Sequence, residues 1–296
     1  MALSDSTLRR YARHLVLPEI GEEGQKKLLA SSVLVIGAGG LGSAALATMA
    51  SSGVGRLGIL EPDRVELSNL QRQMLFEEAD IGRPKVEAAH DRLEEINPGC
   101  IIELFPERLN NDNAHALIHN FFSFPHLPSP ASGGGVANHS PRLRGEEEGG
   151  IVLDCSDNFE TRFALNDACF HEKKTLISAA ISGFSAQLST FKPYLGTPHP
   201  CYRCLVADMP ERERNCAQEG IIGPLAGIMG SMQALEAIKE LLGIGESLSG
   251  HLLVMDALTM NIRKVALPRD PACPICHAAF IAASPSADGD PATSVG

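Results

Sequence analysis

Four of the eight cysteines in this chain form two C-x-x-C pairs, and that spacing is typical of metal ligands. Cys201 and Cys204 make the first pair, and Cys273 and Cys276 make the second pair near the end of the chain. Two such pairs can supply the four thiolates of a closed, tetrahedral zinc site, which is a structural kind of site. We therefore predict a four-cysteine Zn²⁺ site that ties the middle of the chain to its C-terminal region.

Two other kinds of chemistry use a C-x-x-C pair. A redox pair is typical of a thioredoxin-like context, and neither pair has one. The segment C-P-I-C-H, which ends at His277, matches the haem-attachment pattern, but that modification requires export. The charged N-terminal segment up to Gly24 is not typical of a signal peptide. Zinc therefore remains the favoured prediction, with His277 only flanking the site.

A glycine-rich turn is the second feature that could carry chemistry. Gly37, Gly39 and Gly42 match G-x-G-x-x-G between the apolar run VLVI and an Ala-rich helical stretch. Such a turn lets the backbone approach a phosphate at a helix N-terminus. Glu61 ends the next predicted strand, where a carboxylate can accept hydrogen bonds from ribose hydroxyls. The unit predicts a nucleotide site, and an NAD(P)-dependent oxidoreductase is one interpretation of it.

The polar segment after Glu61 favours a triphosphate over a dinucleotide. It contains Asn69, Arg72 and Gln73, and Lys85 follows on the next predicted helix. A magnesium triphosphate needs several cations and amides near its phosphates, whereas an NAD site needs little charge beyond the pyrophosphate. A solvated charged loop followed by an ordinary helical lysine would explain the same residues, so both interpretations stay open on this segment alone.

Eight short segments occur in an order that resembles the MoeB/ThiF/HesA family, relatives of the ubiquitin-activating enzymes. They are RYARHLVLPEIGEEGQ, GAGGLG, SNLQRQ, GRPK, LDCSDN, CYRC, NCAQEG and CPIC, within roughly residues 8–277. The resemblance implies ATP-dependent adenylylation of the C-terminal glycine of a ubiquitin-like sulfur carrier ending in Gly-Gly, before thiocarboxylate formation. It implies a MoaD-like carrier of molybdenum cofactor biosynthesis first, and the ThiS carrier of thiamine biosynthesis as the alternative.

The resemblance also implies roles for individual residues in binding ATP and Mg²⁺. It places the phosphates against four glycines: Gly37, Gly39, Gly40 and Gly42. It places the ribose on Glu61, where many members of the family have Asp. It sets the polyphosphate beside the SNLQRQ segment and the helix lysine, which are Ser68, Asn69, Leu70, Gln71, Arg72, Gln73 and Lys85. Asp157 and Asn158 match the Mg²⁺ and nucleotide contact, and Asp154 is the competing carboxylate on the same strand.

Two further residues have implied roles outside the nucleotide site. Arg13 matches an arginine that reaches into the active site of the other protomer, which implies a homodimer. Cys216 matches a cysteine that in some members forms a covalent bond to the carrier or to sulfur, and a spectator thiol is the alternative. The candidate catalytic residues are therefore Arg13, Arg72, Lys85, Asp157 and Cys216. No rhodanese domain follows Cys276, so we expect a separate sulfur donor.

Alternating strand and helix patterns must position these residues. Apolar runs predict strands at 33–36, 56–61, 100–105, 150–158 and 175–180, separated by helical patterns at 41–53, 85–97, 113–122 and 161–174. This alternation predicts an α/β, Rossmann-like doubly wound sheet with a parallel first half. A strand at 183–194 and a hairpin at 251–268 predict an antiparallel second half, with a long helix at 223–243 between them.

Composition limits the partners and the domain organisation. A net charge of −11 argues against nucleic acid, and no run approaches the ~18 apolar residues of a membrane span. We therefore expect no membrane association and a cytoplasmic location. Residues 123–149 are rich in Pro, Gly and Ser and predict a flexible insertion. We expect one adenylyltransferase domain over 1–279 and a disordered tail at 280–296.

A non-catalytic scaffold that binds the carrier is the remaining alternative to an enzyme. A scaffold has no need of the cations and the carboxylate that activation requires. Those residues are intact here: Arg13, Arg72, Lys85 and Asp157. The sequence therefore favours an active enzyme over a scaffold.

Overall fold

The computed structural model describes residues 3–123, 150–209 and 220–277. Its strands are β1 (Ser32–Ile36), β2 (Arg56–Leu60), β3 (Ile101–Phe105), β4 (Ile151–Asp154), β5 (Thr175–Ser182), β6 (Ser185–Phe191), β7 (His251–Asp256) and β8 (Asn261–Ala266). Its helices are α1 (Asp5–Arg10), α2 (Ala12–Leu15), α3 (Gly21–Ala30), α4 (Gly40–Ser52), α5 (Lys85–Ile96), α6 (Ala114–Ser123), α7 (Phe159–His171), α8 (Tyr202–Leu205) and α9 (Gly223–Leu242).

All eight strands belong to one sheet, in the order β3-β2-β1-β4-β5-β6-β7-β8. The strands from β3 to β5 pair in parallel, and the pairs from β5 to β8 are antiparallel. The prediction of a doubly wound sheet with a parallel first half and an antiparallel second half is thus confirmed. The chain runs outward from β1 to β3 and then returns to the other side of β1 with β4. In open α/β sheets this switch point, at the carboxyl ends of the strands, is where ligands bind.

The parallel strands are apolar runs because helices cover both faces of the sheet. Every residue of β2 and β4 is buried, as expected for strands packed on two sides. Helices α4, α5 and α9 pack on one face, and α6 and α7 pack on the other. Gly230 of α9 allows close contact with α4, since a Cβ atom there would lie 2.2 Å from the Leu41 carbonyl oxygen.

One difference from the predicted elements matters for the site. The strand predicted at 150–158 ends at Asp154, so the following polar residues form a turn that leads into α7. All six residues of β8, the outer strand of the predicted hairpin, are exposed, because β8 is the edge of the sheet. The insertion predicted at 123–149 (apart from Ser123) and the tail predicted at 280–296 lie outside the described residues. None of the described helices is long and apolar enough to cross a membrane.

Candidate active site

A cavity of about 500 Å³ opens at the carboxyl ends of β1, β2 and β4 and extends to the turn between β5 and β6. It lies at the switch point of the sheet, where the fold is expected to bind a ligand. Nine of the residues predicted to bind nucleotide line it, namely Gly37, Gly39, Gly40, Glu61, Arg72, Gln73, Lys85, Asp157 and Asn158. The structure therefore brings most of the predicted set to one place.

The glycine turn is shaped by close backbone contacts. Gly37 has a φ of +96°, a left-handed conformation that favours glycine. A Cβ atom at Gly37 would lie 2.9 Å from the Cys155 carbonyl oxygen, and one at Gly42 would lie 1.9 Å from the Gly37 carbonyl oxygen. Gly42 does not line the cavity. Its role is to let α4 begin directly against the turn.

The N-terminus of α4 faces the cavity without a capping side chain. Gly39 is the N-cap residue, and it makes no side-chain capping hydrogen bond. The free backbone N–H groups and the positive end of the helix dipole make this a favourable position for a phosphate. Arg72 lies across the same turn, since a Cβ atom at Gly40 would lie 3.4 Å from Arg72 Cγ. Its Nη1 donates to the Ser68 carbonyl oxygen at 3.0 Å, which fixes the guanidinium there.

Glu61 is buried beneath the glycine turn and held by two backbone N–H groups. Ala38 N donates to Glu61 Oε2 at 2.9 Å, and Asp63 N donates to Glu61 Oε1 at 3.0 Å. Each carboxylate oxygen keeps acceptor capacity for a further donor such as a ribose hydroxyl. The longer side chain of Glu, compared with Asp, is therefore accommodated by contacts with the turn.

Lys85 places a buried cation at the cavity wall between two carboxylates. Its Nζ lies 3.4 Å from Asp63 Oδ2 and 4.0 Å from Glu61 Oε2. Its backbone N–H also donates to the Asp63 carbonyl oxygen at 2.9 Å, where α5 begins. Sequence reasoning did not single out Asp63. The sequence feature that could have identified Asp63 is its position two residues after Glu61, in the segment E-P-D.

The two competing aspartates after β4 have different surroundings. Asp154 is fully buried, and its carboxylate accepts from Ser156 N at 3.0 Å, Ser156 Oγ at 2.5 Å and Ser178 Oγ at 2.6 Å. Asp157 is exposed and lines the cavity. Asp157 is therefore the carboxylate that a cation in the cavity could reach, whereas Asp154 supports the turn from inside the protein.

Arg162 is a cavity residue that the sequence reasoning missed. It is buried, its Nη2 donates to the carbonyl oxygens of Ser156 at 2.8 Å and Ala179 at 3.2 Å, and its Nε lies 3.9 Å from Asp154 Oδ2. These contacts hold the turn that carries Asp157. The sequence feature that could have identified Arg162 is its position four residues after Asn158, which is about one helical turn. Asn158 caps that helix by accepting from Thr161 N at 2.9 Å.

The SNLQRQ segment divides into residues that line the cavity and residues that shape the segment. The shaping residues, which are not in the cavity lining, are Ser68, Asn69, Leu70 and Gln71. Among them, Asn69 Oδ1 accepts from Glu66 N at 3.1 Å and closes a short turn. Gln73 does line the cavity, and its buried Oε1 has no hydrogen-bond partner within the described part of the chain. A buried amide that lacks a partner fits a wall that a polar ligand completes.

Two predicted catalytic residues, Arg13 and Cys216, and one cavity thiol, Cys155, remain to be described. Arg13 is exposed on α2 and is not in the cavity lining of its own chain. Cys216 lies outside the described residues, so its role stays a prediction. Cys155 lines the cavity, but burial raises the pKa of its thiol well above the ordinary value, so it is protonated at neutral pH. It is a core residue and a poor nucleophile.

The two C-x-x-C pairs meet in one cluster. The four Sγ atoms all lie within 4.8 Å of one another, with separations of 3.5 Å for Cys201–Cys273, 3.6 Å for Cys204–Cys276 and 3.9 Å for Cys201–Cys204. A tetrahedral site with Zn–S bonds of about 2.3 Å separates its sulfurs by about 3.8 Å, so the cluster has the size that zinc requires. The cysteines converge as the sequence predicted.

The thiols of this cluster cannot all ionise without a counter-charge. A hydrogen bond with Cys204 raises the pKa of Cys201, and the same bond lowers the pKa of Cys204. One thiolate therefore forms at the expense of its neighbours. A divalent cation at the centre would allow all four sulfurs to be thiolates, which is the state in which cysteine binds zinc.

Comparison with known proteins places the chain among enzymes with the same sequence pattern. The ThiF family model matches residues 11–275. A sulfur carrier protein adenylyltransferase from Thermus thermophilus is 40% identical over 280 residues and is covered over 93% of both chains. The Escherichia coli molybdopterin-synthase adenylyltransferase is 39% identical over 274 residues, covering 93% of this chain and 98% of that protein.

Both carrier pathways occur among the relatives. The Escherichia coli sulfur carrier protein ThiS adenylyltransferase is also 39% identical over 274 residues, covering 93% of this chain and 97% of that protein. Among solved structures, Escherichia coli MccB crystallised with ATP superposes with a TM-score of 0.68 and 21% identity, covering 90% of this chain and 74% of that chain. The structural likeness agrees with the fold described above.

Proposed function

Because this chain belongs to the ThiF family, we propose that it adenylylates the C-terminal glycine of a small ubiquitin-like sulfur carrier. The carrier that we favour is MoaD-like, which makes the enzyme a molybdopterin-synthase adenylyltransferase of molybdenum cofactor biosynthesis. The ThiS carrier of thiamine biosynthesis is the alternative. The single observation that carries the proposal is one cavity lined by the glycine turn, by Arg72 and Lys85, and by the exposed carboxylate of Asp157.

The reaction needs positioning and charge neutralisation rather than proton transfer. A carboxylate oxygen of the glycine attacks the α-phosphorus, a C–O–P anhydride forms, and the bond to the leaving pyrophosphate breaks. Both reactants are anions, so Arg72, Lys85 and the N-terminus of α4 lower the barrier by offsetting their repulsion. Glu61 orients the ribose, and Asp157 holds Mg²⁺, which when bound neutralises phosphate charge.

The shape of the cavity supports a second substrate beside the nucleotide. Beyond the glycine turn the cavity continues along Ile181, Ser182 and Gln187, which lie near the turn that joins β5 to β6. The last two residues of a tail ending in Gly-Gly have no side chains, which suits close approach to the nucleotide site. A dinucleotide oxidoreductase offers no reason for an exposed aspartate in the same cavity as Arg72 and Lys85.

Carrier-dependent ATP–pyrophosphate exchange tests the proposal. We would incubate the enzyme with Mg-ATP and labelled pyrophosphate, together with a MoaD-like or a ThiS-like carrier. The matched control is each carrier without its last glycine. We expect exchange with the MoaD-like carrier and none with its truncated form. Exchange with the ThiS-like carrier alone would move the enzyme to thiamine biosynthesis, and exchange with neither carrier would contradict the proposed activity.

We also propose a homodimer in which Arg13 completes the site of the partner subunit. Its position on exposed α2, away from its own cavity, agrees with such a role. Arg13→Ala and Arg72→Ala homodimers should both be inactive. Unfolding and refolding them as an equal mixture should restore roughly a quarter of the wild-type exchange, because half of the dimers would carry one intact site. No recovery on mixing would contradict the shared site.

The remaining assignments complete the proposed function. Zn²⁺ bound by the four-cysteine cluster would be structural, because all four ligand positions come from the protein. A reducing compartment such as the cytoplasm suits these thiolates. Sulfur would come from a separate donor protein.

A further inference from the structure

Three histidines and one glutamate meet where α6 packs against α7, outside the nucleotide cavity. His115 and His119 lie one turn apart on α6, and His171 and Glu172 stand at the C-terminal end of α7. His119 Nδ1 lies 3.0 Å from Glu172 Oε2, and His115 Nδ1 lies 3.6 Å from Glu172 Oε1. The ring centroids of His115 and His171 are 5.2 Å apart. One carboxylate therefore lies beside two imidazoles, and a third imidazole packs against one of them.

The spacing of the two α6 histidines is the spacing that binds metal on helices. Histidines at positions i and i+4 project from the same face of a helix and can share one ion, as they do in zinc enzymes with that motif. Here the helix reads H-A-L-I-H from His115 to His119. The side chains are 47% and 61% exposed, so an ion from solvent can reach both rings.

Glu172 occupies the position of a group that orients histidine ligands. When His119 Nδ1–H donates to the carboxylate, its Nε2 carries the free lone pair and points away from Glu172. Histidines that bind metal commonly donate their other ring N–H to a carboxylate in this way. Glu172 is only 23% exposed, and as the C-cap residue of α7 its backbone N–H donates to Ala168 O. The carboxylate is therefore fixed by the fold.

We propose that His115, His119 and His171 form a binding site for one divalent transition-metal ion that prefers imidazole, with Glu172 orienting the ligands. Zn²⁺, Ni²⁺ and Cu²⁺ belong to this class. An ordinary surface ion pair would explain one histidine beside Glu172, but not the second histidine one turn away and the third ring beside it. The ion would join α6 to α7, the two helices on one face of the sheet. The inference stands independently of the adenylylation proposal.

Calorimetric titration with Ni²⁺ tests the site. The protein must carry no histidine tag, and elemental analysis must first show a filled cysteine cluster, so that added metal reports on new sites only. We expect one saturable Ni²⁺ per chain. His119→Ala should weaken the affinity at least tenfold, and Glu172→Gln, which keeps the shape but removes the charge, should weaken it about 10- to 100-fold.

His90→Ala is the matched control. His90 is also a partly exposed helical histidine beside a carboxylate, with its Nδ1 3.5 Å from Asp91 Oδ1, but it has no second histidine at i+4. Its substitution should leave Ni²⁺ affinity unchanged. Ni²⁺ should also raise the thermal unfolding temperature of the wild type and not that of a His115→Ala/His119→Ala variant. Absence of saturable Ni²⁺ uptake by the wild type, or equal affinity in the double variant, would overturn the site.

Discussion

Asp154, the last residue of β4, and Asp157, three residues later, allow effects on stability and on activity to be separated by isosteric substitutions. Asp154→Asn changes a fully buried carboxylate, and Asp157→Asn changes an exposed one at the cavity. We expect the first substitution to lower the free energy of unfolding and the second to lower only the rate of adenylylation. The reason is that Asp154 is bound by the protein, whereas Asp157 faces the cavity.

The expected magnitudes follow from the contacts. Asp154 accepts three hydrogen bonds, from Ser156 N, Ser156 Oγ and Ser178 Oγ, and lies 3.9 Å from the buried Arg162. An amide keeps one acceptor oxygen and turns the other position into a donor. Removing one partner of a buried charged pair costs about 3–5 kcal/mol, so we expect a loss of that order. Asp157→Asn should change the unfolding free energy by no more than about 0.5 kcal/mol.

Adenylylation activity should be lost in Asp157→Asn and kept in folded Asp154→Asn. If Asp157 holds the metal beside the phosphates, its substitution should lower ATP–pyrophosphate exchange by about 10²- to 10³-fold. Urea unfolding gives the free energies, and exchange is measured at a temperature at which both variants remain folded. Two results would refute this reasoning: an Asp157→Asn enzyme with wild-type exchange, or an Asp154→Asn protein as stable as the wild type.

Three further predictions concern the cysteine cluster, the buried lysine and the buried thiols. Elemental analysis should find one Zn²⁺ per chain in the wild type and none in Cys204→Ala. The control is Cys169→Ala, which removes a buried thiol outside the cluster and should keep the zinc. Zinc that stays bound to the Cys204→Ala variant would contradict the site. Lys85→Met should lower ATP–pyrophosphate exchange about 10²- to 10³-fold. The control is Lys192→Met, which breaks a 2.9 Å ion pair outside the cavity and should leave exchange unchanged. Equal losses in the two variants would argue against a phosphate contact by Lys85. Burial raises the pKa of Cys100 from 9.0 to about 12. Above pH 9 the folded thiol keeps its proton while the unfolded thiol loses it, so the free energy of unfolding should fall as pH rises. Between pH 8 and pH 10, the free energy of unfolding of Cys100→Ala should fall by about 1.4 kcal/mol less than that of the wild type. Equal decreases in the two proteins would exclude this cause.

The fold could be predicted because its parallel half has apolar strands that read clearly in the sequence. Strands covered by helices on both faces are continuous apolar runs, as in β1 and β4, and their alternation with helices predicts a parallel sheet. The edge position of β8 could not be predicted, because the sequence of a hairpin does not say which strand lies outermost. The glycine turn was predictable because its spacing is local.

Other parts of the site depend on contacts that the sequence does not contain. The family resemblance favoured Asp157 over Asp154 as the Mg²⁺ contact, but the sequence does not say which of the two carboxylates is buried. The end of β4 at Asp154 decides that. Asp63 and Arg162 act through Lys85 and through the turn after β4, and both contacts form only on folding. Such supporting residues were missed because no motif of their own marks them.

The central claim is that the chain joins AMP to the terminal glycine of a carrier, and intact mass spectrometry of the carrier tests it most directly. The enzyme would be incubated with Mg-ATP, a MoaD-like carrier and pyrophosphatase, without a sulfur donor, and the carrier would then be weighed. We expect a carrier heavier by one adenylate group, formed only when the terminal glycine is present. An unchanged mass for the MoaD-like carrier and for a ThiS-like carrier tested in the same way, with the enzyme folded and ATP bound, would contradict the account.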